Sequence, residues 1–107
     1  MSVTLQEIIH LINNEEVRIS AHGYDELAAD KIPVRDVIAS IEAAILVEDY
    51  PDYHKGRSVL VLQYDTDGNP IHVVWGIPKG KMSPAVLVTA YRPDPSRWSS
   101  DFMRRQS

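Results

Sequence analysis

Thr89 and Tyr91 close an apolar run, Ala85-Val86-Leu87-Val88-Thr89-Ala90-Tyr91, that reads as a β-strand. Two residues apart on an extended chain, their side chains share a face. The chain then breaks into Arg92-Pro93-Asp94-Pro95-Ser96-Arg97-Trp98, a proline-bounded turn carrying two guanidinium groups. Two hydroxyls on one face beside Arg92 and Arg97 suit an anionic ligand or a scissile phosphate. His22, within Ile19-Ser20-Ala21-His22-Gly23-Tyr24, is the side chain suited to proton transfer near neutral pH. It falls at the start of a short helical stretch, where the positive end of the helix favours a neutral imidazole. A capping or packing role is its alternative. Lys55 and Arg57, in a polar connection, would add positive charge for a bound phosphate.

The other candidates read as structural. His72 shares a strand face with Val74, which points to a structural or edge position; His10 and His54 fall in solvated positions. The histidine positions 10, 22, 54 and 72 contain neither HxH nor HExxH, and the chain has no cysteine. The expectation is therefore no metal, no cofactor, no disulfide and no cysteine nucleophile. No glycine-rich phosphate loop or G-x-S-x-G elbow is present, so hydride chemistry, nucleoside triphosphate use and serine hydrolysis have no support. Tyr50, Tyr53 and Tyr64 sit at strand ends, where a tyrosine packs its ring and wets its hydroxyl.

Helices come first and strands follow. Leu5, Ile8, Ile9, Leu11 and Ile12 recur at helical spacing behind a Thr4–Glu7 capping box, and Asn13-Asn14 ends the helix. Arg18-Ile19-Ser20 is a short extended lead-in. Ser20 or Ala21 opens a second helix that closes near Asp30-Lys31, and Pro33 begins a third through Val34, Val37, Ile38 and Ile41. Strands are expected over 45–50, 58–64, 71–77 and 85–91. Asp67-Gly68 marks a hairpin between the second and third, and Val59-Leu60-Val61-Leu62 reads as a central strand. Asp94 and Pro95 resemble the cap and first residue of a terminal helix over 95–104, laid on the sheet by Trp98. The fold class is α+β, with the helices packed on one side of a four-stranded antiparallel sheet and a short C-terminal helix.

At 107 residues, 44% hydrophobic and 24% charged, this is the composition of one globular domain. No apolar stretch is long enough to span a membrane and no signal peptide is visible, which fits a cytoplasmic protein. The net charge of −4 hides an asymmetry. Residues 1–54 hold eleven acids and three bases, and residues 55–107 hold eight bases and four acids. Either the second half presents a basic face to nucleic acid, or the two halves neutralise each other within the fold.

Taken together, several segments resemble the bacterial family known as domain of unknown function 4258. They are Ile19-Ser20-Ala21-His22, Lys31-Ile32-Pro33-Val34-Arg35-Asp36-Val37, Glu48-Asp49-Tyr50-Pro51, Pro70-Ile71-His72-Val73-Val74 and Val88-Thr89-Ala90-Tyr91-Arg92 through Trp98. The resemblance extends to RelE-type and MqsR-type toxins, metal-independent ribonucleases of toxin–antitoxin pairs. It implies a RelE-like fold, an RNA substrate, a cognate antitoxin protein as partner, His22 as the leading catalytic residue and Thr89 and Tyr91 beside it. The chain departs from the family's pattern after His22. Many members carry one or two arginines on that helix, where this chain has Tyr24, Asp25, Glu26 and Leu27. The cation that stabilises a phosphorane must then come from Arg57, Arg92 or Lys55. The reading is a toxin-like ribonuclease with His22 as acid/base, Arg92 or Arg57 as phosphate clamp, and Tyr91 as proton donor or stacking platform. Its alternative is a non-catalytic interaction domain of the same fold.

Overall fold

The apolar stripe of the first dozen residues folds as helix α1 (Val3–Asn13), burying Leu5, Ile8, Leu11 and Ile12. The computed structural model describes residues 2–106. The cap of α1 is Ser2, whose hydroxyl accepts the Leu5 N–H at 3.1 Å, rather than the expected Thr4. Thr4 falls on the stripe of Ile8 and is buried, so the helix starts earlier than the capping-box pattern implies. Left-handed Glu15 (φ 62°) then turns the chain into β1 (Val17–Ile19).

Helix α2 (Ala21–Ala29) follows, capped by Ser20, and α3 (Val34–Ala39) starts after Pro33. A 3₁₀ turn at Ile41–Ala43 leads into β2 (Ile45–Tyr50), β3 (Ser58–Tyr64), β4 (Pro70–Gly76) and β5 (Ala85–Tyr91). These four strands form an antiparallel meander, as their short connections require. The sheet nevertheless has five strands in the order β1-β5-β4-β3-β2, and β1 runs parallel to β5. The expected four-stranded antiparallel sheet is thus a five-stranded mixed one. Three residues are too few to show a period, and β1 exists only because Val17, Arg18 and Ile19 pair with Ala85, Val86 and Leu87.

The expected terminal helix over 95–104 is absent: the segment is a series of turns closed by a Trp98–Arg105 bridge. Its side chains take the backbone donors a helix would use. Asp94 accepts the Ser96 N–H, Asp101 accepts the Met103 N–H and Ser99 accepts the Arg104 N–H.

The helices cover one face of the sheet. Ile8, Leu27 and Val37 pack there with Val61, Val73, Trp75 and Leu87. Gln63 lies within this core without cost, because its amide donates to Val37 O and Ser40 Oγ and accepts the Trp75 indole N–H.

One irregularity decides which side chains reach the other face. Val74 pairs with Thr89 but Trp75 pairs with Leu87, so Val88 is an extra, bulged residue. Before the bulge Leu87 faces the helices; after it Ala90 does. Thr89 and Tyr91, alternating with Ala90, therefore share the opposite face. Ser20 holds the bulge: its N–H donates to Leu87 O and its hydroxyl to Val88 O, each at 3.1 Å. The same hydroxyl accepts the Gly23 N–H, and a Cβ at Gly23 would lie 2.8 Å from Leu87 O. Ser20→Ala removes both a helix cap and a bulge partner. It should lower stability by about 1–2 kcal/mol, read as a lower urea midpoint at unchanged slope. An unchanged midpoint would show that the bulge is held by other contacts.

Candidate functional site on the open face of the sheet

The face turned away from the helices carries His72 on β4 and its strand partner Tyr91 on β5. Residues 93–106 cross this part of it as a strap. Trp98 is buried edge-on against the His72 ring, with centroids 4.4 Å apart. The Arg105 guanidinium lies 4.9 Å from the Trp98 ring centroid. It donates to both carboxylate oxygens of Glu48, at 2.9 and 3.1 Å, and the Tyr50 hydroxyl donates to the same carboxylate.

These contacts set the protonation states. His72 Nε2 lies 2.9 Å from the Phe102 carbonyl, an acceptor only, so Nε2 carries the proton. The bare Nδ1 then accepts the Tyr91 hydroxyl at 3.3 Å. Burial holds the imidazole below its ordinary pKa, the Phe102 carbonyl opposing this, and His72 stays neutral. Burial also raises Tyr91, which keeps its proton. The Arg105 hydrogen bonds hold the Glu48 carboxyl below the usual range.

Between strap and strand end lies a cleft of 660 Å³, lined by Tyr91, Arg92, Asp94, Arg97, Trp98 and Arg105. Three residues expected to act together, Tyr91, Arg92 and Arg97, do meet here. Their freedom differs. The Arg92 guanidinium is 2.8 Å from Asp65, a carboxylate only 5% exposed, and it also donates to Pro70 O. Its backbone N–H donates to Asp30. Arg92 thus ties the end of β5 to the β3–β4 turn and to the end of α2. Arg97 is 82% exposed, and among the described residues its ion-pair partner is Asp94 at 4.0 Å.

The remaining expected site residues lie elsewhere. Thr89 shares the open face with Tyr91 but stands opposite Val74, outside the cleft lining. Lys55 lines a second hollow on the same face. Arg57 turns to the helix side, 2.7 Å from Glu7 of α1. His22 begins α2, which packs in the helical layer through Gly23 and Leu27. It is 65% exposed, has Glu26 at 3.9 Å and lines neither concavity. Glu48 and Arg105, which the sequence does not single out, complete the cluster with His72, whose expected structural position on the strand is a fully buried one. The pairs Arg57–Glu7 and Arg105–Glu48 join the basic half of the chain to the acidic half. Among the described residues no three His, Asp or Glu side chains converge on a metal-binding arrangement, and no helix is long and apolar enough to cross a membrane.

The chain's sequence has relatives over most of this α+β domain. The family described as "Domain of unknown function (DUF4258)" matches residues 19–92, and the chain belongs to it. No curated protein and no solved structure matches the chain. The matched span takes in His22, Lys55, His72 and Tyr91 and ends at Arg92, before the strap.

Both protonation states make acid unfavourable. The folded chain resists protonating His72, so the unfolded chain takes up that proton first and stability falls as pH drops below 6.5. Glu48, with its depressed folded value, adds stability above its ordinary 4.5 that is lost as pH falls further. Urea unfolding between pH 8 and pH 4 should show this decline, and His72→Asn should flatten its upper part. Equal stability at pH 7.5 and 5 would contradict the assignment.

Proposed function

We propose that this protein is a toxin-like, metal-independent ribonuclease acting on single-stranded RNA, built on a RelE-like fold and held by a small antitoxin protein. One observation carries the reading: a protonated Tyr91, backed by neutral His72, opens into a cleft edged by Arg92, Arg97 and Arg105. Metal-free cleavage requires an attacking 2′-oxygen, a proton for the departing 5′-oxygen, and positive charge on the phosphorane. Exposed Arg97 meets the phosphate, while Arg105, held by Glu48, and Arg92, held by Asp65, fix the cleft walls and lend it a positive field. The 2′-oxygen bonds to phosphorus as the P–O5′ bond breaks, and Tyr91 turns its hydroxyl from His72 Nδ1 to protonate the leaving oxygen, the proton taken from the 2′-OH returning to it through solvent. The products are a 2′,3′-cyclic phosphate and a free 5′-hydroxyl. Asp94, kept ionised by the Ser96 N–H and hydroxyl, is the carboxylate on the cleft that can take the 2′-OH proton. It is a weak base, so turnover is slow. His22, in the helical layer, has no part in this scheme.

A second reading, a non-catalytic domain that binds a partner protein, is favoured by the commitment of Arg57 and Arg92 to ion pairs. Tightly controlled induction in a bacterial host separates the two. Growth arrest is expected with the wild type and with His22→Ala. Tyr91→Phe should relieve it, with RNA cleavage falling about 100-fold or more. Arrest that survives Tyr91→Phe undiminished would favour the interaction domain.

A further inference from the structure

The second hollow on the open face belongs to no role described so far. It has a volume of 410 Å³ and lies at the opposite end of β4 from His72, over Gly76 and its strand partner Ser58. Valines 74, 86 and 88 make its apolar floor. Gly76 carries no side chain into that floor: a Cβ there would stand 3.1 Å from Ser58 Oγ and 3.6 Å from Val88 Cγ2. A flat group can therefore lie close against the sheet. Tyr50 and Tyr53 stand at the rim, 42% and 48% exposed, and present aromatic surface beside the floor. Arg18 and Lys55 line the same hollow, both exposed, and neither forms an ion pair among the described residues.

An apolar floor, two presented aromatic rings and two unpaired cations are the parts of a nucleotide site. A base stacks on tyrosine whatever its identity, and its phosphate finds Lys or Arg beside it. We infer that this hollow binds one nucleotide of a single-stranded RNA, its base stacked on Tyr50 or Tyr53 and its phosphate on Arg18 and Lys55. The inference rests on the ribonuclease reading, since it supplies the neighbour of the nucleotide held at Tyr91. The two sites are physically joined, because the Tyr50 hydroxyl donates to the Glu48 carboxylate that Arg105 of the cleft also grips.

Binding of adenosine 5′-monophosphate and of a short 2′-O-methyl RNA, which cannot be cleaved, tests this. Four proteins are compared: wild type, Gly76→Val to fill the floor, Tyr53→Ala with Lys55→Ala to strip the exposed rim without touching the core, and Arg97→Glu in the cleft. The expected result is that both pocket variants weaken the mononucleotide and the RNA about tenfold or more, with ribose 5-phosphate bound far more weakly than the mononucleotide. Arg97→Glu should weaken the RNA alone. If the pocket variants bind RNA like the wild type while Arg97→Glu does not, the nucleotide site is overturned and the ribonuclease reading stands. If the mononucleotide binds and is lost in the pocket variants but no RNA binds, the RNA site is overturned in favour of one for free nucleotides, and the ribonuclease reading falls with it. Binding of neither ligand overturns both.

Discussion

The structure turns on the extra residue in β5. Strand side chains alternate strictly, so an unbulged strand with Leu87 in the core would also send Thr89 and Tyr91 into the core. The bulge at Val88 reverses that alternation, leaving Ala90 to fill the core and placing Tyr91 over His72. A bulge frees backbone carbonyls, and here Ser20 accepts that task with its N–H and its hydroxyl while also capping α2. Gly23 lets the helix approach closely enough for this. The segment Ser20-Ala21-His22-Gly23 therefore has a structural explanation that does not involve the imidazole. The two residues that matter to the strand are those on either side of Ala21-His22.

The strap solves a second problem, that of a sheet with only one face covered by helices. Without it His72, fully buried between Trp98 and the Phe102 carbonyl, would face water. Trp98 covers His72, and the Arg105–Glu48 pair fastens the strap to β2. An exposed ion pair contributes little alone. This one is bidentate, stacked on an indole and reinforced by Tyr50, the circumstances in which such pairs do contribute. The strap lies over the His72 end of β4, and the hollow over Gly76 lies beyond it.

How much of this is legible in the sequence depends on how local each cause is. The stripe of α1, the Asp67-Gly68 hairpin and the continuous apolar run of β3 are local patterns and appear in the structure as read, whereas the third helix, expected through Ile41, ends at Ala39 and gives way to a 3₁₀ turn. Strand β1 is not legible because its three residues gain strand character only by pairing with Ala85–Leu87, far along the chain. The terminal segment misleads because Asp94-Pro95 looks like a helix start, whereas the Asp and Ser side chains that follow divert the backbone donors. The grouping of Tyr91, Arg92 and Arg97 is visible since they are neighbours in sequence. The contacts of Tyr91 with His72 and of Arg105 with Glu48 are not, spanning 19 and 57 residues. Nor does anything before the bulge is known say which face Tyr91 will take.

On the proposed function the open sheet face, and not the helical layer that carries His22, meets RNA. Amide chemical-shift mapping with a short 2′-O-methyl RNA tests it most directly. Shifts are expected at Tyr91, Arg97, Trp98 and Arg105 and at Tyr50 and residues 52–56, with α2 silent. Shifts confined to α2 around His22 and Glu26, with the open face unmoved, would contradict it.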